Sequence, residues 1–160
     1  MSLPSGFVVA AALVMSAGAE GGWATVFHSD EAGYYGIQTG GVYPQGQKKT
    51  FPIVHATNVV QNNVLYSQGW ATVDCQARTI QIWQLSHIDP EFRVIGGGTI
   101  PMADRVTEDI EPGTVGDSYY RVVCQGETPM EDLDEPHVTN LVFRFRRILE
   151  RNLAGSGQRD

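Results

Sequence analysis

Four histidines, His28, His55, His87 and His137, carry the widest chemical reach in this 160-residue chain. An imidazole can exchange a proton near neutral pH and can ligate a metal. No two of the four stand three or four residues apart, and none sits in an HExxH frame, so no paired-histidine helix face for zinc is built. His87-Ile88-Asp89 is the most reactive local pairing, because a carboxylate beside an imidazole raises its basicity. A small hydrolase using that loop histidine and carboxylate is the catalytic reading, and an ordinary surface loop is its plain alternative. Serines are sparse and no GxSxG elbow is present. Gly96-Gly97-Gly98 lacks the lysine and the spacing of a phosphate loop, and it reads as a flexible turn. Residues 127–135 do not keep the alternating oxygen register of a calcium loop. These patterns call for no cofactor and no metal, and they point away from an enzyme.

The two cysteines, Cys75 and Cys124, belong to no CxxC pair and have no histidine at ligand spacing. In an oxidising compartment they can pair, and a disulfide is the better reading of them than a zinc site. The compartment follows from the N-terminus. Residues 7–15 are apolar, and Ser16-Ala17-Gly18-Ala19 places small residues before Glu20, the form of a secretory signal peptide cleaved after Ala19. Its leading residues, Met1-Ser2-Leu3-Pro4-Ser5, carry no lysine or arginine. The apolar run is too short to span a bilayer, so no integral membrane segment is expected after cleavage, and the product is periplasmic or secreted. The expected organisation is a leader over residues 1–19, one compact domain over 20–155 and a disordered tail over 156–160.

A formal net charge of -7 repels phosphate backbones, and nucleic acid is not an expected partner. The charge is uneven: residues 127–135 hold five acids and no base, whereas residues 144–151 hold four arginines and one glutamate. Both stretches read as solvated faces.

Eighteen glycines and eight prolines favour short elements joined by many turns. Trp23-Ala24-Thr25-Val26-Phe27 and Tyr34-Tyr35-Gly36-Ile37 flank turn chemistry and predict a hairpin. Residues 40–47 read as an exposed loop. Phe51-Pro52-Ile53-Val54-His55-Ala56-Thr57 is strand-like, with Pro52 arguing for an edge or a bulge. Gly69-Trp70-Ala71-Thr72-Val73-Asp74-Cys75 alternates, placing Ala71, Val73 and Cys75 on one side. Residues 79–85 alternate again, with Ile80, Ile82 and Gln84 opposite Thr79, Gln81, Trp83 and Leu85. Glu111-Pro112-Gly113-Thr114 feeds a helix capped by Thr114, with Asp117 near its positive end and Val115, Tyr119, Val122 and Val123 as its stripe. Cys124 ends that helix and can pin it to the sheet. After Pro136 a second amphipathic helix sets Val138, Leu141, Val142, Phe145, Ile148, Leu149 and Leu153 on one face and Arg144, Arg147 and Arg151 on the other.

The order of these parts resembles the surface-adhesin protein E-like family of small exported bacterial proteins. The likeness lies in Trp23-Ala24-Thr25-Val26, Tyr34-Tyr35, Val73-Asp74-Cys75 before Arg78, and Ile110-Glu111-Pro112-Gly113-Thr114-Val115-Gly116-Asp117 leading to Cys124, over roughly residues 20–125. The family often has a tryptophan shortly before the Pro-Gly turn, where this chain has Val106-Thr107-Glu108, and the arginine-rich helix after Pro136 lies beyond the usual pattern. The resemblance implies an α+β fold, an antiparallel β-sheet packed by a disulfide-tethered helix and a C-terminal amphipathic helix, closed by a Cys75–Cys124 bridge. It also implies an adhesin-like binding role, since the family's better-known member is an outer-membrane adhesin for host matrix proteins and plasminogen.

A role in protein binding or self-association needs a surface. Tyr34, Tyr35, Tyr43, Trp70 and Trp83 are large amphipathic groups suited to interfaces when exposed, and the arginine face of the last helix, with Arg144, Arg147 and Arg151, is a second candidate. The direction in which Phe143 points, off the apolar stripe beside Arg144, bears on the second.

Overall fold

The computed structural model describes residues 21–29 and 33–156, and the side chains of 58–61, 134 and 149–156 fall outside that description. The expected leader and residues 157–160 of the expected tail lie outside the described residues. The fold is α+β, as expected. Strands β1 (Trp23–Ser29), β2 (Gly33–Gln38), β3 (Tyr43–Gln45), β4 (Lys48–Gln61), β5 (Val64–Asp74), β6 (Thr79–Ile88), β7 (Val94–Thr99) and β8 (Thr107–Asp109) precede helix α1 (Val115–Gln125). Strand β9 (Glu131–Glu135) and helix α2 (Val138–Ser156) follow it. Every described pairing is antiparallel. The order is β7-β6-β5-β4-β2-β1-β9, with β3 beside β2 on the flank of β4 and β8 beside β7 on the flank of β6.

Side chains alternate across this sheet, so each strand feeds two cores. Phe51, Ile53, Ala71, Val73 and Ile80 face α1 and meet Tyr119 and Val123. Val54, Ala56, Tyr66 and Ile88 face α2 and meet Leu141, Val142 and Phe145. Phe145 is fully buried, and its ring stacks on Tyr34 at 4.3 Å. Gly36 lets β2 lie close to its neighbours, because a Cβ there would come 2.9 Å from the Ala24 carbonyl and 3.0 Å from Val54.

Helix α1 starts as its sequence dictates. Thr114 Oγ1 accepts from the Asp117 N–H at 3.2 Å, and Asp117 Oδ2 accepts from the Gly113 N–H at 3.1 Å, a reciprocal cap. It ends at Gly126, whose φ of 72° is the left-handed region that favours glycine. Three tethers tie it to the sheet. Cys124 forms a disulfide with Cys75, Lys49 Nζ donates to the Val123 carbonyl at 2.6 Å, and Tyr120 donates to the Cys75 carbonyl at 3.4 Å. Helix α2 is held against β9 by Arg144 to Glu131 at 2.6 Å and by Asn140 to Glu135 at 2.8 Å.

Four expectations are corrected. Residues 40–47 are not simply an exposed loop: Gly41 is buried, and β3 pairs with the start of β4. Pro52 lies in an interior strand, neither edge nor bulge. It pairs with Trp70 of β5, while on its other flank it falls where β2 pairing ends at Ile53 and β3 pairing begins at Thr50, so its ring lies against Gly41 there. Gly96-Gly97-Gly98 is a paired stretch of β7, not a flexible turn. Gly97 has φ +85°, and a Cβ there would come 2.0 Å from the Leu85 carbonyl, so only glycine serves at that point. The acidic stretch 127–135 is not all solvated face, because β9 closes the free edge of β1.

Candidate functional site

The two helices cover opposite faces of the sheet at opposite ends, so each face keeps one open region. On the α1 face the open region is crossed by a polar row. Cα register pairs Tyr35 with His55, His55 with Ser67, Ser67 with His87 and His87 with Gly96, which aligns five strands. Tyr35 stacks on His55 at 4.0 Å, and Ser67 Oγ and His87 Nδ1 share a hydrogen bond at 2.8 Å. Beside this row runs a groove of about 640 Å³, within the size range of ligand sites. Its floor is Ile53, Ile80, Ile82 and Leu85, its wall is the start of α1 with Tyr119, and Glu108, Asp109 and Glu111 stand at its rim.

Two local features open the groove. Gly69 lies between Ile53 and Leu85 in register and adds no side chain. A Cβ there would meet the Gln84 carbonyl at 2.0 Å. Trp83 is an extra residue in β6: Trp70 pairs with Gln84 while Ala71 pairs with Ile82. This bulge resets the alternation, so Ile82 and Leu85, expected on opposite faces, line the same groove.

The expected His87–Asp89 pairing is not made. His87 turns to Ser67. Asp89, fully buried, accepts from the N–H groups of Glu91 at 3.0 Å and Arg93 at 2.8 Å and pairs with the Arg93 guanidinium at 2.7 Å. Burial alone would raise the Asp89 pKa, but the Arg93 N–H, its guanidinium and the Glu91 N–H outweigh it and hold that carboxyl below its usual value. Asp89 thus builds the β6–β7 turn. Among the described residues no carboxylate hydrogen-bonds His87, so the Ser67–His87 contact lacks the orienting third group of a triad. Burial, with Tyr35 nearby, pushes the Tyr119 hydroxyl well above its ordinary pKa and keeps it neutral.

On the α2 face the open region holds three of the expected interface aromatics. Trp70 and Trp83 stack at 6.0 Å, and Tyr43 lies 6.0 Å from Trp70. The Arg105 guanidinium sits 5.7 Å over Trp83, and Thr50 and Thr72 hydrogen-bond at 2.8 Å beside the rings. Tyr43 is 44% exposed, and Trp70 and Trp83 are half-buried. The remaining candidates lie elsewhere. Tyr34 is core, stacked between His28 and Phe145. Tyr35 belongs to the groove. Arg144 and Arg147 are exposed on α2, where Arg144 pairs with Glu131, and the Arg151 side chain is outside the described residues. Phe143 points outward at 47% exposure and packs at 5.3 Å on Phe92 of the β6–β7 turn.

Sequence reading missed the groove because His55, Ser67 and His87 become neighbours only through strand register. Ser67 also lies in the part of β5 that precedes the alternating stretch from Gly69. Among the described residues no cluster of three or more histidine, cysteine or acidic side chains could hold a metal, and no helix is long and apolar enough to cross a membrane.

The chain is thus a disulfide-clamped antiparallel sheet with one helix on each face and one open region on each. No protein-family model matches it, and no curated protein matches it. Among solved structures it is similar to protein E from non-typeable Haemophilus influenzae, with a TM-score of 0.44 and 12% identity over 81% of this chain and 89% of that one. Crystal form II of Haemophilus influenzae protein E gives a TM-score of 0.43 and 13% identity over 57% of this chain and 80% of that one.

Proposed function

We propose that this chain is an exported, non-enzymatic binding protein, adhesin-like in kind, that acts through the aromatic region of its α2 face on a protein partner or a second copy. The observation that carries this reading is the Tyr43–Trp70–Trp83 row, left uncovered by α2 and flanked by Arg105 and a threonine pair. Tryptophan, tyrosine and arginine are the residues enriched in interface hot spots, and they give large contact area at small entropic cost. Export is supported by the apolar N-terminal segment with small residues before Glu20, and by a disulfide that persists in oxidising compartments.

The test measures sedimentation of the purified oxidised protein over a range of concentrations, together with a crosslinked pull-down from the producing cell's envelope. Trp70→Ser with Trp83→Ser should abolish the association seen, while Phe143→Ser, an exposed aromatic on α2, should leave it intact. Absence of both self-association and a partner, or association indifferent to the tryptophan pair, would overturn the reading.

A further inference from the structure

We infer that the groove on the α1 face is a second binding site, distinct from the aromatic region, for a small hydrophobic ammonium compound. Its floor is aliphatic: Ile53, Ile80, Ile82 and Leu85 present methyl groups to a concavity large enough for a bicyclic ring system or a short alkyl chain. Along one side stands the ring of Tyr35, packed between His55, on which it stacks, and Phe27. Ser67 and His87 supply the polar contact that fixes orientation.

Charge selects the ligand. Glu108, Asp109 and Glu111 line the rim, no lysine or arginine lines the groove, and none of the three carboxylates is in an ion pair among the described residues. The neighbouring arginine is already committed, since Arg78 pairs with Asp117 at 3.2 Å and lies over Tyr120. The start of α1 offers no anion site either, because Thr114 and Asp117 occupy its cap. An anion of the same shape would enter a negative field with no donor charge to meet it.

The experiment titrates the oxidised protein with 2-naphthylmethylammonium, with its neutral alcohol analogue 2-naphthylmethanol and with 2-naphthoate. Calorimetry gives the affinity, and amide chemical shifts locate the site. The ammonium compound should bind about ten-fold or more tighter than the carboxylate, with shifts centred on Tyr35, His55, Ser67 and His87. Glu108→Gln with Glu111→Gln should weaken the ammonium compound several-fold and leave the alcohol unchanged. Leu85→Trp should block both, with the native fold confirmed by its disulfide and near-ultraviolet dichroism. Equal binding of carboxylate and ammonium, or shifts confined to Tyr43, Trp70 and Trp83, would overturn the inference. Either result leaves the tryptophan test of the other face standing on its own.

Discussion

Removing the disulfide should cost this fold about as much as truncating a fully buried aromatic side chain. Cys75 and Cys124 are 49 residues apart in sequence, and joining them withdraws loop entropy from the unfolded chain. For a loop of that length the chain-entropy estimate is about 4 kcal/mol. Net stabilities of small domains run from about 5 to 15 kcal/mol, so the bridge is a large share. The perturbation is Cys75→Ser with Cys124→Ser, which leaves no free thiol. Urea unfolding, followed by tryptophan fluorescence, should show stability reduced by about 3–4 kcal/mol, and the melting temperature should fall by about 15 °C at roughly 4 °C per kcal/mol. Hydrogen exchange then separates local from global effects. Because the lost entropy term belongs to the unfolded chain, amides of β4 and β5 that exchange through global unfolding should lose protection by the same amount, about 3–4 kcal/mol, while α1 keeps its Lys49, Tyr120 and Arg78 contacts. A loss below about 1 kcal/mol, or β4 and β5 amides whose slowest exchange is unchanged, would refute the chain-entropy account of the bridge.

Two further outcomes follow from the cores and the buried turn. Phe145→Ala empties the centre of the α2 face, where the ring is fully buried against Tyr34, and should cost about 3–5 kcal/mol by urea unfolding with the α1 face still ordered. The Asp89 carboxyl is held below its usual value in the fold, so its contribution is present above the unfolded pKa near 4 and is lost as pH falls through the folded value. An unfolding titration should show stability falling below about pH 4, and Asp89→Asn should be less stable at neutral pH yet show a shallower acid limb.

The parts of the fold that read clearly from sequence are those set by local chemistry. Thr114 and Asp117 announce the start of α1, the 3.6-residue spacing of Leu141, Val142 and Phe145 gives the buried face of α2, and the alternation of Ala71 and Val73 gives their side of β5. Pairing decided the rest. The acidic run 131–135 has no strand propensity, and only the open edge of β1 makes it β9. Asn62 and Asn63, with φ of 51° and 61°, form the two-residue hairpin turn that joins β4 to β5. Tyr43, Trp70 and Trp83 were legible as amphipathic groups, but which of the five aromatics would be exposed depended on where the two helices lie on the sheet. The His55–Ser67–His87 row left no local trace, because its members are brought together by register alone.

One inserted residue links the two open regions. Without the bulge, strict alternation along β6 would keep Ile80 and Ile82 on the α1 face and turn Leu85 and His87 to the other side. Ser67 would then lose its partner, and the groove would lose part of its floor. The extra position is Trp83 itself, whose ring joins Trp70 on the α2 face. A single β-bulge therefore supplies an aromatic to one surface and re-aims an aliphatic and a histidine into the other. Gly69 lies one residue from Trp70, the partner of Gln84, and the Gln84 carbonyl crowds it so closely that no Cβ fits. The glycine that lets the bulge close is thus also the residue whose missing side chain deepens the groove, so a substitution there would strain the bulge and fill the cavity together.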